Sequence, residues 1–128
     1  MTNKNKKVIK DFKDLEIYQI AEKIATDLEK LIKKLPKSKK FLGEHLVEAA
    51  ISTASNIAEA FGRYFFKESA RFYYFARGSN CEVHARLRFF VLTNYFTLVE
   101  TKQTFYDIQN LKVKLNNTIH STFAQLDK

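Results

Sequence analysis

The chain has 128 residues, with 22 Lys and Arg against 14 Asp and Glu, a formal net charge of +8 and a pI near 9.6; this length serves one domain. Three Gly and one Pro make up about 3% of it, where average usage gives roughly 12%, which excludes a many-turned β-sandwich or barrel. Hydrophobic content of 45% excludes disorder, and the single Cys81 excludes an intrachain disulfide framework or a cysteine-based zinc site.

Residues 1–10 read as a basic tail and residues 11–126 as the domain. Lys4, Lys6, Lys7, Lys10 and Lys13 crowd the start, and residues 1–40 hold twelve Lys against six acids, carrying +6 of the +8. For the tail alone a frayed, solvated terminus is the first reading, and an arm that binds nucleic acid by releasing counterions from the phosphates it neutralises is the other. Residues 1–14 contain no apolar run of the signal-peptide kind. The uncharged stretch 89–99 has 11 residues, short of the ~20 needed to span a bilayer. A cytoplasmic protein with no membrane partner is expected.

The first helix starts near Asp11 or Asp14, either of which can cap free amides. Ile17, Ile20, Ala21, Ile24, Leu28, Leu31, Ile32 and Leu35 follow on one face. Pro36 ends it, in a loop region carrying Lys33, Lys34, Lys37, Lys39 and Lys40. The second helix covers about 42–61, with Leu46, Ala49, Ala50, Thr53, Ile57 and Phe61 as its stripe and Gly62 just past its end.

The third helix runs over roughly 67–95, with Phe72, Phe75, Ala76, Ser79, Val83, Leu87, Phe90 and Asn94 on its buried face. Gly78 inside it costs about 1 kcal/mol relative to Ala, so a close helix contact is expected there. The fourth helix begins near Thr101 and carries Phe105, Ile108, Leu111, Leu115, Thr118, Thr122 and Leu126. Short joins make successive helices antiparallel neighbours, so the fold class is all-α, an up-down-up-down four-helix bundle.

Eleven of the eighteen aromatics lie between residues 64 and 96. A helix that is apolar all round is covered on more than one side, so Tyr73, Tyr74 and Phe89 are assigned to a homo-oligomer interface. Base stacking on single-stranded nucleic acid and Tyr hydroxyls reaching solvent are the alternatives.

No catalytic, cofactor or metal site emerges. His45, His84 and His120 fall on three different helices, and the Glu-x-x-His pairs of a di-iron bundle are missing. A phosphate loop and a nucleophile elbow are missing too. Cys81 and His84 stand one turn apart, and Cys81 is read as a buried structural cysteine, with thiol activation as the alternative. Polar residues recur inside the stripes: Ser52, Ser55, Asn56 and Glu59, then Arg77, Ser79 and Glu82. Buried polar groups need partners, so a network joining Asn56 or Glu59 to Arg77 is expected to set helix register, with a ligand site as the alternative.

The segment Ser55-Asn56-Ile57-Ala58-Glu59-Ala60-Phe61-Gly62-Arg63, followed by Ala76-Arg77-Gly78-Ser79 and Glu82, resembles the four helix bundle protein family known from intervening sequences in bacterial 23S ribosomal RNA genes. Asp11-Phe12-Lys13-Asp14-Leu15 and Leu35-Pro36 match as well, so the resemblance covers about 11–126. It implies a non-catalytic bundle that assembles into a homo-oligomeric ring, often a pentamer. A related branch, the accessory variability protein of diversity-generating retroelements, is a basic pentamer that binds RNA and a reverse transcriptase. The chain departs from the pattern at Ala54 (usually Pro), Ala60 (usually Gly), Val47-Glu48 (usually a basic pair) and Phe65 (usually a capping Ser).

Two functions follow from these observations. One is a nucleic-acid-binding accessory protein for RNA or DNA, with Lys4 to Lys13 and Lys33 to Lys40 as its footprint. The other is a structural scaffold for a protein partner, with lysines that only solvate.

Overall fold

Asp11 opens the fold with a reciprocal cap. Its carboxylate accepts from the Phe12 N–H at 2.8 Å, while Asp14 accepts from the N–H groups of Lys10 and Asp11 at 2.9 and 3.1 Å. Those two donors, that of Lys10 first, hold the Asp14 carboxyl below its ordinary value. The capped element is a 3-10 turn, Phe12–Asp14, and not the first α-helix itself.

A computed structural model describes residues 8–126. Helix α1 is Glu16–Leu31, α2 Lys40–Gly62, α3 Phe66–Leu92 and α4 Leu98–Leu126, and no strand occurs among the described residues. The all-α, four-helix expectation is borne out. None of these helices is long and apolar enough to cross a membrane.

The helix ends follow local chemistry. Pro36 holds Leu35 extended (ψ 143°), so α1 stops at Leu31 and two 3-10 turns, Ile32–Lys34 and Lys37–Lys39, lead into α2. Phe65 precedes α3 without a side-chain cap. Ser69 instead donates its hydroxyl to the carbonyl of Ala60 at 2.8 Å, satisfying an acceptor at the end of α2. Asn94 takes a left-handed conformation (φ 68°), which ends α3 before the predicted residue 95. Thr97 and Glu100 then cap each other, with Glu100 N–H to Thr97 Oγ1 at 3.1 Å and Thr97 N–H to Glu100 Oε2 at 2.7 Å. This capping box starts α4 three residues before Thr101.

Helices α1 and α3 each pack on both α2 and α4. The centre holds Ile24, Leu28, Leu46, Ile57, Val83, Leu87, Phe90, Phe96, Ile108, Leu111 and Leu115, all essentially inaccessible. Buried threonines return their hydroxyls to the carbonyl one turn back, as in Thr53 to Ala49 at 3.0 Å and Thr101 to Thr97 at 2.7 Å. Lys23 fastens α1 to α4, donating to Asp27 at 2.8 Å and to the buried Asp107 at 2.9 Å. Those two carboxylates, Asp27 first, raise the ammonium above its ordinary value. Lys114 meets Glu16 at 3.1 Å in the same seam.

The glycine expectations change. Gly78 is exposed on the outer side of α3, and a Cβ there would meet no atom within 4 Å, so it makes no close helix contact within the chain. Gly62 is the last residue of α2 and has ordinary φ. The tight position is Gly43, where a Cβ would sit 2.6 Å from Leu35 Cδ1 and 3.2 Å from Ile32. Gly43→Ala is therefore expected to destabilise by about 1 kcal/mol net, overpacking outweighing the gain in helix propensity. Gly78→Ala is expected to stabilise by up to about 1 kcal/mol. Chemical unfolding of both variants checks the pair, and stabilisation by both would refute tight packing at Gly43.

Candidate nucleic-acid interface

The lysine footprint divides in two. Lys4, Lys6 and Lys7 lie outside the described residues. Lys10 and Lys13 stand at the start of α1, Lys13 being 3.7 Å from Asp11, while Lys33 to Lys40 lie beyond its far end. Sixteen residues of helix, about 24 Å, separate the two groups. Within the second group, Lys34 pairs with Glu100 at 2.5 Å and sits over the Phe96 ring, and Lys39 sits over Tyr95. The Lys34 ammonium, then the Thr97 N–H, hold the Glu100 carboxyl below its ordinary range. These two lysines clasp the turn between α3 and α4. Lys33, Lys37 and Lys40 make no ion pair among the described residues and are exposed.

The polar network is smaller and differently wired than expected. Neither Asn56 nor Glu59 reaches Arg77. Asn56 donates to the Ser52 carbonyl at 2.9 Å and to its hydroxyl at 3.2 Å, and the Ser52 and Ser79 hydroxyls meet at 3.0 Å, joining α2 to α3. Glu59 pairs with Arg63 at 3.2 Å and Glu82 with Arg86 at 2.8 Å, each along its own helix or just past its end. Ser55 is exposed. Arg77 points the other way, donating to Asn116 on α4 at 3.1 Å with its guanidinium over Tyr74.

The aromatic assignments also separate. Tyr73 is only 8% exposed and belongs to the core, so its placement on an outer face is corrected. Phe75, expected inside, is 45% exposed, and Tyr74 and Phe89 are 40% and 48% exposed. With Leu92 they line the outer side of α3 at helical spacing, with Gly78 and Ala85 between them. Leu42 of α2 joins Ala85 and Phe89 around a shallow apolar cleft beside this stripe.

Beyond the lysine-rich first forty residues lies a further basic surface. Helices α3 and α4 carry eight Lys and Arg against four acids. All four acids are engaged, Glu68 with Arg63, Glu82 with Arg86, Glu100 with Lys34 and Asp107 with Lys23. Lys67, Arg71, Arg77, Arg88, Lys102 and Lys112 have no acidic partner among the described residues. Only their recurrence along two helices signals this surface in the sequence, and it becomes visible once the helices are paired.

Of the family departures, Val47 is buried against the core and Glu48 is exposed, so no basic pair projects from early α2. Ala54 and Ala60 are buried as well.

These features define a four-helix bundle protein whose third helix exposes an apolar stripe beside unpaired basic side chains. Residues 13–117 match the model of the 23S rRNA-intervening sequence protein family, and the chain belongs to that family. The resemblance carried by the segment from Ser55 to Arg63 and by Ala76 to Glu82 is thereby borne out. No curated protein matches the chain.

Proposed function

We propose that this chain is a non-enzymatic, cytoplasmic four-helix bundle, antiparallel and up-down-up-down, that self-associates, a pentameric ring being favoured, and serves as a nucleic-acid-binding accessory protein for RNA or DNA. The antiparallel order is supported by contacts at matching heights, Glu16 with Lys114, Lys23 with Asp107 and Lys34 with Glu100. The observation that carries the reading is the outer face of α3. Tyr74, Phe75, Phe89 and Leu92 are 40–64% exposed, while Tyr73, Val83, Leu87 and Phe90 of the same helix are buried. Exposed large apolar side chains recurring along one helix face mark an association surface. Self-association multiplies charge, so five chains of +8 would carry roughly +40, enough to attract nucleic acid without sequence preference.

The test is a salt titration of nuclease-treated protein against generic RNA and DNA. Binding at ~50 mM salt that weakens as salt rises supports the reading. Absent or salt-independent binding overturns it in favour of a scaffold for a protein partner.

A further inference from the structure

The seam between α3 and α4 contains a cleft of about 180 Å³ lined by Asn80, Cys81, His84 and Arg88 from one helix and Gln109 and Lys112 from the other. No acid lines it among the described residues, and the four acids of these helices are held by cations elsewhere. Arg88 and Lys112 are exposed and without ionic partners. Further along the seam, Arg77 bridges to Asn116, three turns or about 16 Å from Arg88. The seam is thus a row of cations with no acid to neutralise them.

Its floor adds a second observation. Asn80 is 2% exposed and donates its amide to the Ile108 carbonyl at 3.0 Å, but its Oδ1 has no partner. A buried acceptor left unmade is costly. A phosphate without a proton cannot satisfy it, whereas the exocyclic amine of a base or a bound water can.

We infer that this groove binds the phosphodiester backbone of a single nucleic-acid strand, with Arg88 and Lys112 taking the phosphates; the inference rests on the nucleic-acid reading above and names the surface for it. Guanidinium and ammonium groups suit phosphate oxygens. The cleft, about 180 Å³ between two packed helices, is of a size to take in one backbone at a time. Arg77, bridging to Asn116 further along the seam, continues the row of cations beyond the cleft. The groove runs next to the apolar stripe, so copies joined through that stripe would repeat it around the assembly.

The experiment compares three proteins for binding a labelled single-stranded RNA of about a dozen nucleotides, and the matching DNA, over ~50 to ~200 mM salt. They are the native chain, Arg88→Gln/Lys112→Gln, and Lys33→Gln/Lys37→Gln/Lys40→Gln. Losing two phosphate contacts is expected to weaken binding and to reduce the magnitude of the log–log salt slope by about 1.4. Inorganic phosphate at matched ionic strength is expected not to displace the strand. Both groups of substitutions are on exposed side chains, so thermal melting is expected to stay unchanged and excludes misfolding as a cause. An unchanged slope in the groove variant alongside a reduced slope in the loop variant overturns the groove while the nucleic-acid reading stands. If the native chain binds neither strand, both fall.

Discussion

If the α3 stripe joins copies of the chain as proposed, replacing Phe75 and Phe89 together by Gln is expected to yield a monomer of about 15 kDa in light scattering. Each ring is roughly half exposed on the outer side of α3, so removing both takes little from the core of the single chain. About half of each ring is left to bury in an interface, worth roughly half of the 1.5–3 kcal/mol of a full burial, so the pair contributes roughly 1.5–3 kcal/mol per contact. At about 1.4 kcal/mol per decade, the dissociation constant rises roughly ten- to a hundred-fold. Gln is a good helix former, so α3 persists, and the loss of the Phe72 and Phe90 edge contacts and of Arg71 over Phe75 lowers the stability of the single chain by about 1–2 kcal/mol. The native protein is the control. If it already scatters as a monomer near 15 kDa, the stripe is not a self-association surface.

The positions that make up this stripe show what a sequence does and does not reveal. In α1, Ile17, Ala21, Ile24 and Leu28 are buried as their spacing predicts, because polar residues occupy the opposite face and only one phase fits. In α3, the run Phe72-Tyr73-Tyr74-Phe75 offers an apolar residue in every direction, so periodicity cannot choose the buried one. Packing on α2 and α4 makes that choice, turning Tyr73 and Ala76 inward and Phe75 outward. The start of α4 is legible in the sequence, since Thr97 and Glu100 have capping-box spacing. The need for Gly at position 43 is not, because it comes from Leu35 and Ile32, which approach only after the chain turns at Pro36.

The candidate site follows the same rule. Of the lysines adjacent in sequence, Lys34 and Lys39 are committed to the turn at Tyr95 and Phe96, and the rest divide between the two ends of α1. Arg88 and Lys112, 24 positions apart, line one cleft. Charge counted along a chain reports its clustering only where the chain is local. Here the relevant proximity is across a helix pair, and the ion pairs that silence Glu82, Glu100 and Asp107 decide which cations stay free.

Tyr73→Ala is expected to cause the largest loss of stability of any single substitution considered for α3. The ring sits in the core with the lower part of α1 nearby, Leu15 and Ile17 sharing a small cavity with it and with Asn117 of α4. Truncating a buried aromatic removes its transfer energy and leaves a void, together about 3–5 kcal/mol, a large share of the 5–15 kcal/mol typical of a domain. In thermal unfolding this is a fall of order 10 °C or more. Tyr74→Ala, one residue on and 40% exposed, is expected to cost no more than about 1 kcal/mol, most of it from the lost Arg77 and Phe123 contacts. Tyr73→Phe separates ring from hydroxyl. Burial raises the Tyr73 phenol above its ordinary value of 10.0, because the neutral form is favoured in the folded chain. The sign follows from linkage: that contribution is complete below pH ~10 and is lost as pH climbs through the raised value. Tyr73→Phe should therefore melt near the native temperature at neutral pH and resist alkaline unfolding better. An interface role for Tyr73 makes the opposite forecast, a dissociated assembly whose single chains melt normally in Tyr73→Ala. Melting of that variant close to the native temperature would place Tyr73 outside the core.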